Sequence, residues 1–260
     1  SKSFELTNAK NSVWNMGDKE SDSGLKNLYS SKITVKPILC QVKPEKLMQD
    51  FIDRVKDYTP EFEDVDYSLV KKSDNLLEIN IADLHIGKLC WSGETGDNYN
   101  MEIAETRFKT AIKELVAMNS VNGFDKIAYI TGNDKIHIDG SSNTTTRGTK
   151  QDVDGVWQQI FLKACELEVW AINYLKQFAP VEVVYVQSNH DLHAGFYLMS
   201  YVSAWFKDCH DVNCDIVATP RKYVEWGKNL IMYSHGHMEK KRVDGIMQIE
   251  KSEAWGRTKF

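Results

Sequence analysis

A chain of 260 residues with 42% hydrophobic side chains, 15 glycines and 5 prolines can bury one substantial core, which excludes disordered, fibrous and collagenous proteins. Its 32 basic and 37 acidic residues leave a formal charge of −5, so no bulk positive field holds nucleic acid, and a polyanionic substrate needs a local patch or bound cations. No apolar run approaches the roughly 18 residues that cross a bilayer, and Ser1 to Phe4 open no apolar signal region, so no membrane partner is expected. The cysteines Cys40, Cys90, Cys165, Cys209 and Cys214 are odd in number and irregularly spaced, which argues for a reducing, cytoplasmic setting rather than a disulfide framework.

Residues 1–43 show no sustained period and are rich in Ser, Asn, Lys and Asp, which predicts an irregular arm. From Pro44, the spacing of Leu47, Phe51, Ile52 and Val55 predicts one amphipathic helix that ends before Pro60. Residues 1–74 then form an arm plus one helix, ahead of a domain over 75–260. Within that domain Leu77, Ile79 and Ile81 alternate with polar residues, a strand period that runs into Asp83-Leu84-His85. A helix follows, with Met101, Ala104, Phe108, Ala111, Leu115 and Met118 on one face.

A second strand, Lys126 to Thr131, feeds Gly132-Asn133-Asp134, and a helix from about Asp152 carries Ile160, Ala164, Leu167, Ala171, Tyr174 and Phe178. A third strand, Val181 to Val186, feeds Ser188-Asn189-His190-Asp191, and a helix around Phe196, Met199, Val202 and Phe206 follows. Further strands are expected at Asp215 to Ala218 and at Leu230 to Tyr233, the last feeding Ser234-His235-Gly236-His237. Strands and helices alternate, so the fold class is α/β.

Four strands thus end in short clusters of Asp, Asn and His, and six of the seven histidines lie in or beside them. In α/β sheets, loops at the carboxyl ends of strands are where ligands collect, so these clusters are expected to converge. Each alone is a weak signal; four in order, about fifty residues apart, are a strong one.

Asp83-Leu84-His85, Gly132-Asn133-Asp134, Asn189-His190-Asp191 and His235 together resemble the ordered signature of the calcineurin-like metallophosphoesterases, over roughly residues 75–260. The resemblance implies a mixed β-sandwich flanked by helices, with two divalent metals at one edge. By position, Asp83 and His85 bind the first metal, Asp134 bridges both, and Asn189 and His235 bind the second. His190 then faces the substrate as the catalytic residue, with Asp191 beside it, and Asn133, His137 and Arg147 contact the substrate side. Mixed imidazole and oxygen donors suit Mn first, with Fe, Zn, Ni or Mg as further candidates, and the two ions activate a bridging water for in-line attack on phosphorus. The expected activity is a phosphodiesterase or nuclease with a phosphoester substrate, nucleic acid or nucleotide among the candidates.

Three positions depart from the family pattern. Asn133 intervenes in the usual Gly-Asp pair, Ser188 stands where Gly opens the third motif, and only one His-x-His cluster is present where the family has a strand-end His and a later Gly-His-x-His. With His235 as the earlier ligand, the chain stops at Phe260 before the last ligand pair, and His237 is the available substitute on the first metal. Weak or partial metal occupancy is then expected. The competing expectation is a metal-poor, non-catalytic binding or assembly module on the same scaffold. Elsewhere, Pro220-Arg221-Lys222-Tyr223 and Lys240-Lys241-Arg242 are short basic runs that could touch nucleic acid.

Overall fold

The structure is a computed structural model and describes residues 4–17, 25–37, 60–68, 73–239 and 243–258. It divides into two units, Ser1–Thr59 and Pro60–Phe260. In the first, β1 (Phe4–Gly17) pairs antiparallel with β2 (Leu25–Pro37), with one register irregularity between Leu6 and Asn8. This hairpin replaces the irregular arm expected over 1–43. Val13 and Trp14 are neighbours on opposite faces of β1, and both are exposed, so the strand carries no apolar/polar alternation to read. The helix expected from Pro44 lies outside the described residues.

The second unit begins at Pro60 rather than at residue 75. Phe62 stacks on Phe206 with ring centroids 5.3 Å apart, and the Tyr67 hydroxyl donates to the Lys176 carbonyl at 2.5 Å. These contacts tie an extended segment, which has no period of its own, to the body of the unit.

Strands β3 (Leu76–Asn80), β4 (Lys126–Gly132), β5 (Val181–Val186) and β6 (Val212–Asp215) form one parallel sheet in chain order. The connections carry a short helix, α1 (Ser92–Thr95), and three longer ones, α2 (Met101–Asn119), α3 (Trp157–Leu175) and α4 (Leu192–Trp205). Strands β7 (Arg221–Trp226) and β8 (Asn229–Ser234) make a separate antiparallel pair, followed by α5 (Val243–Glu250) and α6 (Ser252–Arg257). The fold is mixed α/β.

The pleat of β4 sorts the layers. Ile127 and Tyr129 point into the main core, which Phe108 of α2, Ala164 of α3 and Leu198 of α4 complete. Ala128 and Ile130 point the other way, against Val224 of β7 and Tyr233 of β8. Behind that pair, Leu230 packs on Met247 of α5 and Ala254 of α6. Helices, parallel sheet, antiparallel pair and helices are therefore stacked in turn, and no described helix is long and apolar enough to cross a membrane.

Several elements differ in detail from expectation. The buried face of α2 is Ala104, Phe108, Ile112 and Val116, while Met118 is 74% exposed. Two overlapping stripes exist in that helix, and the β-branched one won the core. The strand expected at Asp215 to Ala218 lies earlier, at Val212–Asp215. Strand β7 went unread because an inward position carries Lys222, whose Nζ sits 2.6 Å from the Asp215 carboxylate. Arg221 is likewise engaged, by Glu250 at 2.6 Å and Glu239 at 3.1 Å. This basic run therefore braces β7 instead of offering free cations, and residues 240–242 lie outside the described set.

One interaction locks the site-bearing end of β4 to α3. Lys135 Nζ lies 2.6 Å from Glu168 Oε1, with both side chains essentially inaccessible, and 4.0 Å from the centre of the Phe108 ring. Thr131 also donates to Glu168 Oε1, at 2.8 Å. Removing one partner of such a pair strands a buried charge, so Glu168→Ala is expected to cost about 3–5 kcal/mol. It will show as a lower urea midpoint, most of which the double variant Lys135→Met with Glu168→Leu restores.

Candidate metal centre

The exits of β3 and β4 run side by side beyond the formal strands. Asp83 N donates to Asn133 O at 3.0 Å, His85 N to Asp134 O at 3.0 Å, Ile86 N to Lys135 O at 2.8 Å and His137 N to Ile86 O at 3.0 Å. Within that pairing Asp83, His85, Asn133 and Asp134 all have positive φ, between 47° and 62°. Such backbone is unfavourable for residues with a Cβ and is concentrated at functional sites, where the surrounding structure imposes it. Gly132 precedes them at φ 87°, and a Cβ there would lie 2.2 Å from the Val186 carbonyl, so only glycine lets β4 and β5 part at this depth. Asn133, between Gly132 and Asp134, takes the left-handed conformation that Asn tolerates.

The carboxylate of Asp134 is buried at the centre. Its Oδ1 accepts from the His190 backbone N at 3.2 Å, and its Oδ2 lies 3.8 Å from His235 Nε2. Asp83, His85 and Asp134 each offer a ligand atom within 4.8 Å of the others, and His85 Nε2 is 3.7 Å from Asp83 Oδ1. On the other side, His235 Nδ1 meets Asn133 Oδ1 at 2.6 Å, and His235 Nε2 meets Asn189 Oδ1 at 2.6 Å. With Nδ1–H given to Asn133, the Nε2 lone pair points towards Asn189 and the buried Asp134 carboxylate, and an imidazole, an amide oxygen and a carboxylate on one space are donors that fit a metal.

His85, His137 and His190 form a second group of ligand atoms within 4.8 Å. His137 Nδ1 is 3.3 Å from His85 Nδ1, and His190 Nδ1 donates to the His137 carbonyl at 3.1 Å. Both described groupings could hold a metal.

Asp191 does not orient the His190 ring. It is buried, accepts from Ile136 N at 2.8 Å and from the Ser188 hydroxyl, and so ties the β4 and β5 exits together beneath the site. Ser188 supplies that hydroxyl from the turn that follows β5. Asn133 turns its side chain to His235. His237 lies beside His235, ring centroids 4.9 Å apart, exposed and in neither grouping. Arg147 is exposed on a loop that is pinned to the site: Thr146 N donates to His190 O at 3.2 Å, and Leu192 N donates to the Thr146 hydroxyl at 3.1 Å. With Asn189 and His237 it lines a cavity of about 170 Å³.

One positioning residue, Asp139, has no place in the sequence-based expectation, and His137 positions its neighbour through a main-chain atom. Asp139 accepts from His193 N at 2.9 Å, from Ala194 N at 2.7 Å and from His193 Nδ1 at 2.6 Å, anchoring the start of α4. Its signal was its place five residues after Asp134. The His137 carbonyl that orients His190 is main chain and has no sequence signal.

Burial dominates the electrostatics. It lowers the His85 and His237 pKa, pushes His137 down to about 3 with help from neighbouring His85 and His190, and pushes Asp191 up to about 6. No family model matches the chain, and no curated protein or solved structure matches it.

His137 sets an acid limit on the metal-free protein. Its folded pKa lies below the ordinary 6.5, so the unfolded chain binds the proton first, and its contribution to stability is present above pH 6.5 and lost as pH falls towards about 3. In that window one proton gives a slope of up to about 1.4 kcal/mol per pH unit. Denaturant melts of metal-free protein between pH 7 and 4 are expected to show this loss, and His137→Gln to flatten it.

Proposed function

We propose that this chain is a calcineurin-like metallophosphoesterase, a hydrolase of phosphoester bonds that works with two divalent ions, manganese being the first candidate. The single observation that carries the reading is the position of Asp134: one buried carboxylate lies between Asp83 with His85 on one side and Asn189 with His235 on the other. A shared carboxylate is what allows two cations to sit close together. Asp83, His85 and Asp134 would hold one ion, and Asp134, Asn189 and His235 the other. When bound, the ions supply Lewis-acid polarisation of the phosphoryl group and a nucleophile at neutral pH.

The remaining residues bind and orient. His190 donates through Nδ1 to the His137 carbonyl, which turns Nε2 towards the site; as the imidazolium the ring would donate from Nε2 to a phosphoryl oxygen or give that proton to the leaving oxygen, and as the neutral ring it would accept there. Its backbone N on Asp134 Oδ1 keeps that ring in register with the bridging carboxylate. Arg147 lines one cavity with Asn189, where a guanidinium can pair with a phosphate next to the one cleaved. Asn133 fixes the His235 ring, and Asp191 and Ser188 hold the loops that carry Asn189 and His190. Bound cations also answer the charge problem, because they give a chain of charge −5 a local positive centre.

The test is hydrolysis of a model phosphodiester, a phosphomonoester and single-stranded DNA by manganese-loaded protein. The expected outcome is turnover of at least one substrate, lost by more than about a hundredfold in Asp134→Asn together with lower metal content, and lost in His190→Ala with metal content retained. Inactivity on all three by protein that holds two ions would overturn the assignment in favour of a binding module.

A further inference from the structure

His137 is a buried imidazole that the hydrolytic reading does not use as a ligand, yet it is turned towards two other imidazoles. We infer that His85, His137 and His190 form an additional, nitrogen-only metal site that takes Cu²⁺ or Zn²⁺ and that excludes an ion from the seat at Asp83 and Asp134.

The spacing suits one small ion. Two nitrogens bound tetrahedrally at about 2.0–2.1 Å stand roughly 3.3–3.4 Å apart, and His85 Nδ1 and His137 Nδ1 are separated by 3.3 Å. The three rings surround a common space, with centroids 4.7 to 5.5 Å apart, and each offers an atom within 4.8 Å of the others. His190 is prepared as a ligand: its Nδ1–H is occupied by the His137 carbonyl, an arrangement that fixes the tautomer of metal-binding histidines and leaves Nε2 free. The carrying segments are already tied together, by main chain through His137 N to Ile86 O at 3.0 Å and by the Asp134 side chain, whose Oδ1 accepts from His190 N at 3.2 Å, so little ordering is needed on binding.

Donor chemistry separates the two seats. Three imidazoles and no carboxylate favour copper and zinc over manganese or magnesium, whereas Asp83 and Asp134 supply the oxygen that the harder ions prefer. A fourth coordination position opens on a groove of about 620 Å³ lined by the three histidines, Lys88, Trp91 and Glu94, from which water or a small anion enters. Exclusion follows from His85. A neutral ring has one lone pair, so binding through Nδ1 to the histidine seat places the proton on Nε2, the atom that faces Asp83. An ion in this seat also occupies the His190 ring. Resting on the hydrolytic reading, copper or zinc therefore inhibits the enzyme without resembling the substrate.

Titration of the metal-stripped chain with Cu²⁺, followed by electron paramagnetic resonance, tests the site. One tightly held ion with superhyperfine splitting from three nitrogens is expected. His137→Phe and, should that buried substitution impair folding, His190→Ala are each expected to lose one nitrogen from the splitting and to weaken copper binding by more than about tenfold. Asp83→Ala is expected to leave the copper spectrum unchanged while weakening Mn²⁺, and saturating Mn²⁺ is expected to lower the apparent copper affinity. Identical copper spectra in the wild type and the histidine variants, or loss of the signal in Asp83→Ala, would overturn the site. Failure of hydrolysis with manganese would remove the enzymatic reading and leave the copper result standing; the reverse outcome would remove this site alone.

Discussion

The lateral pairing of two strand exits is the constraint on which the centre rests. Asp83 and His85 reach across to the carbonyls of Asn133 and Asp134, and these four residues hold a left-handed backbone that each would avoid in isolation. Strain of that kind costs of order 1–3 kcal/mol per residue and persists only where neighbouring structure imposes it. Here the parallel sheet and the Lys135–Glu168 pair impose it from below, and Asp191 closes the third loop against the second. The ligand-bearing side chains are therefore aimed by main-chain geometry, and the alignment exists before any ion enters.

That origin explains which parts of the site could be read in advance. The strand-end clusters are visible because an alternating or continuous apolar run followed by Asp, Asn and His is a local pattern, and it located Asp83, His85, Asp134, Asn189 and His235 at one edge of the sheet. The support beneath them is not local. The His137 carbonyl that turns His190 is a main-chain atom common to every residue, and the role of Asp191 depends on Ile136 N, which a strand pairing brings to it. The same limit applies to the fold. Strand β7 hides because Lys222 occupies an inward position and pairs with Asp215, and the β1–β2 hairpin hides because apolar side chains lie exposed on both of its faces. Helix α2 offered two stripes, and only contact with Phe124, Ile127 and their neighbours chose Ile112 and Val116 over Met118.

The electrostatic character of the centre follows from the same burial. Burial favours the neutral form of His85 and His137, which suits them as lone-pair donors and removes the repulsion that protonated rings would create around a cation. Of the positive charge elsewhere on this edge, Arg221 and Lys222 are tied to acidic partners, while Arg147 lies exposed beside Asn189 and Lys88 lines the groove with His85 and His137.

The stacking order of the layers carries a consequence of its own. Asp83, His85, Asp134 and Asn189 all leave the parallel sheet, whereas His235 leaves β8, which is fastened to that sheet by a small apolar contact of Ala128, Ile130, Val184, Val186, Val224 and Tyr233. The donors of the candidate centre thus rest on two different apolar clusters, one the large helical core and one a thin seam. Loosening of that seam would withdraw His235 while leaving the donors of the parallel sheet in place, so the vulnerability of the candidate centre is asymmetric.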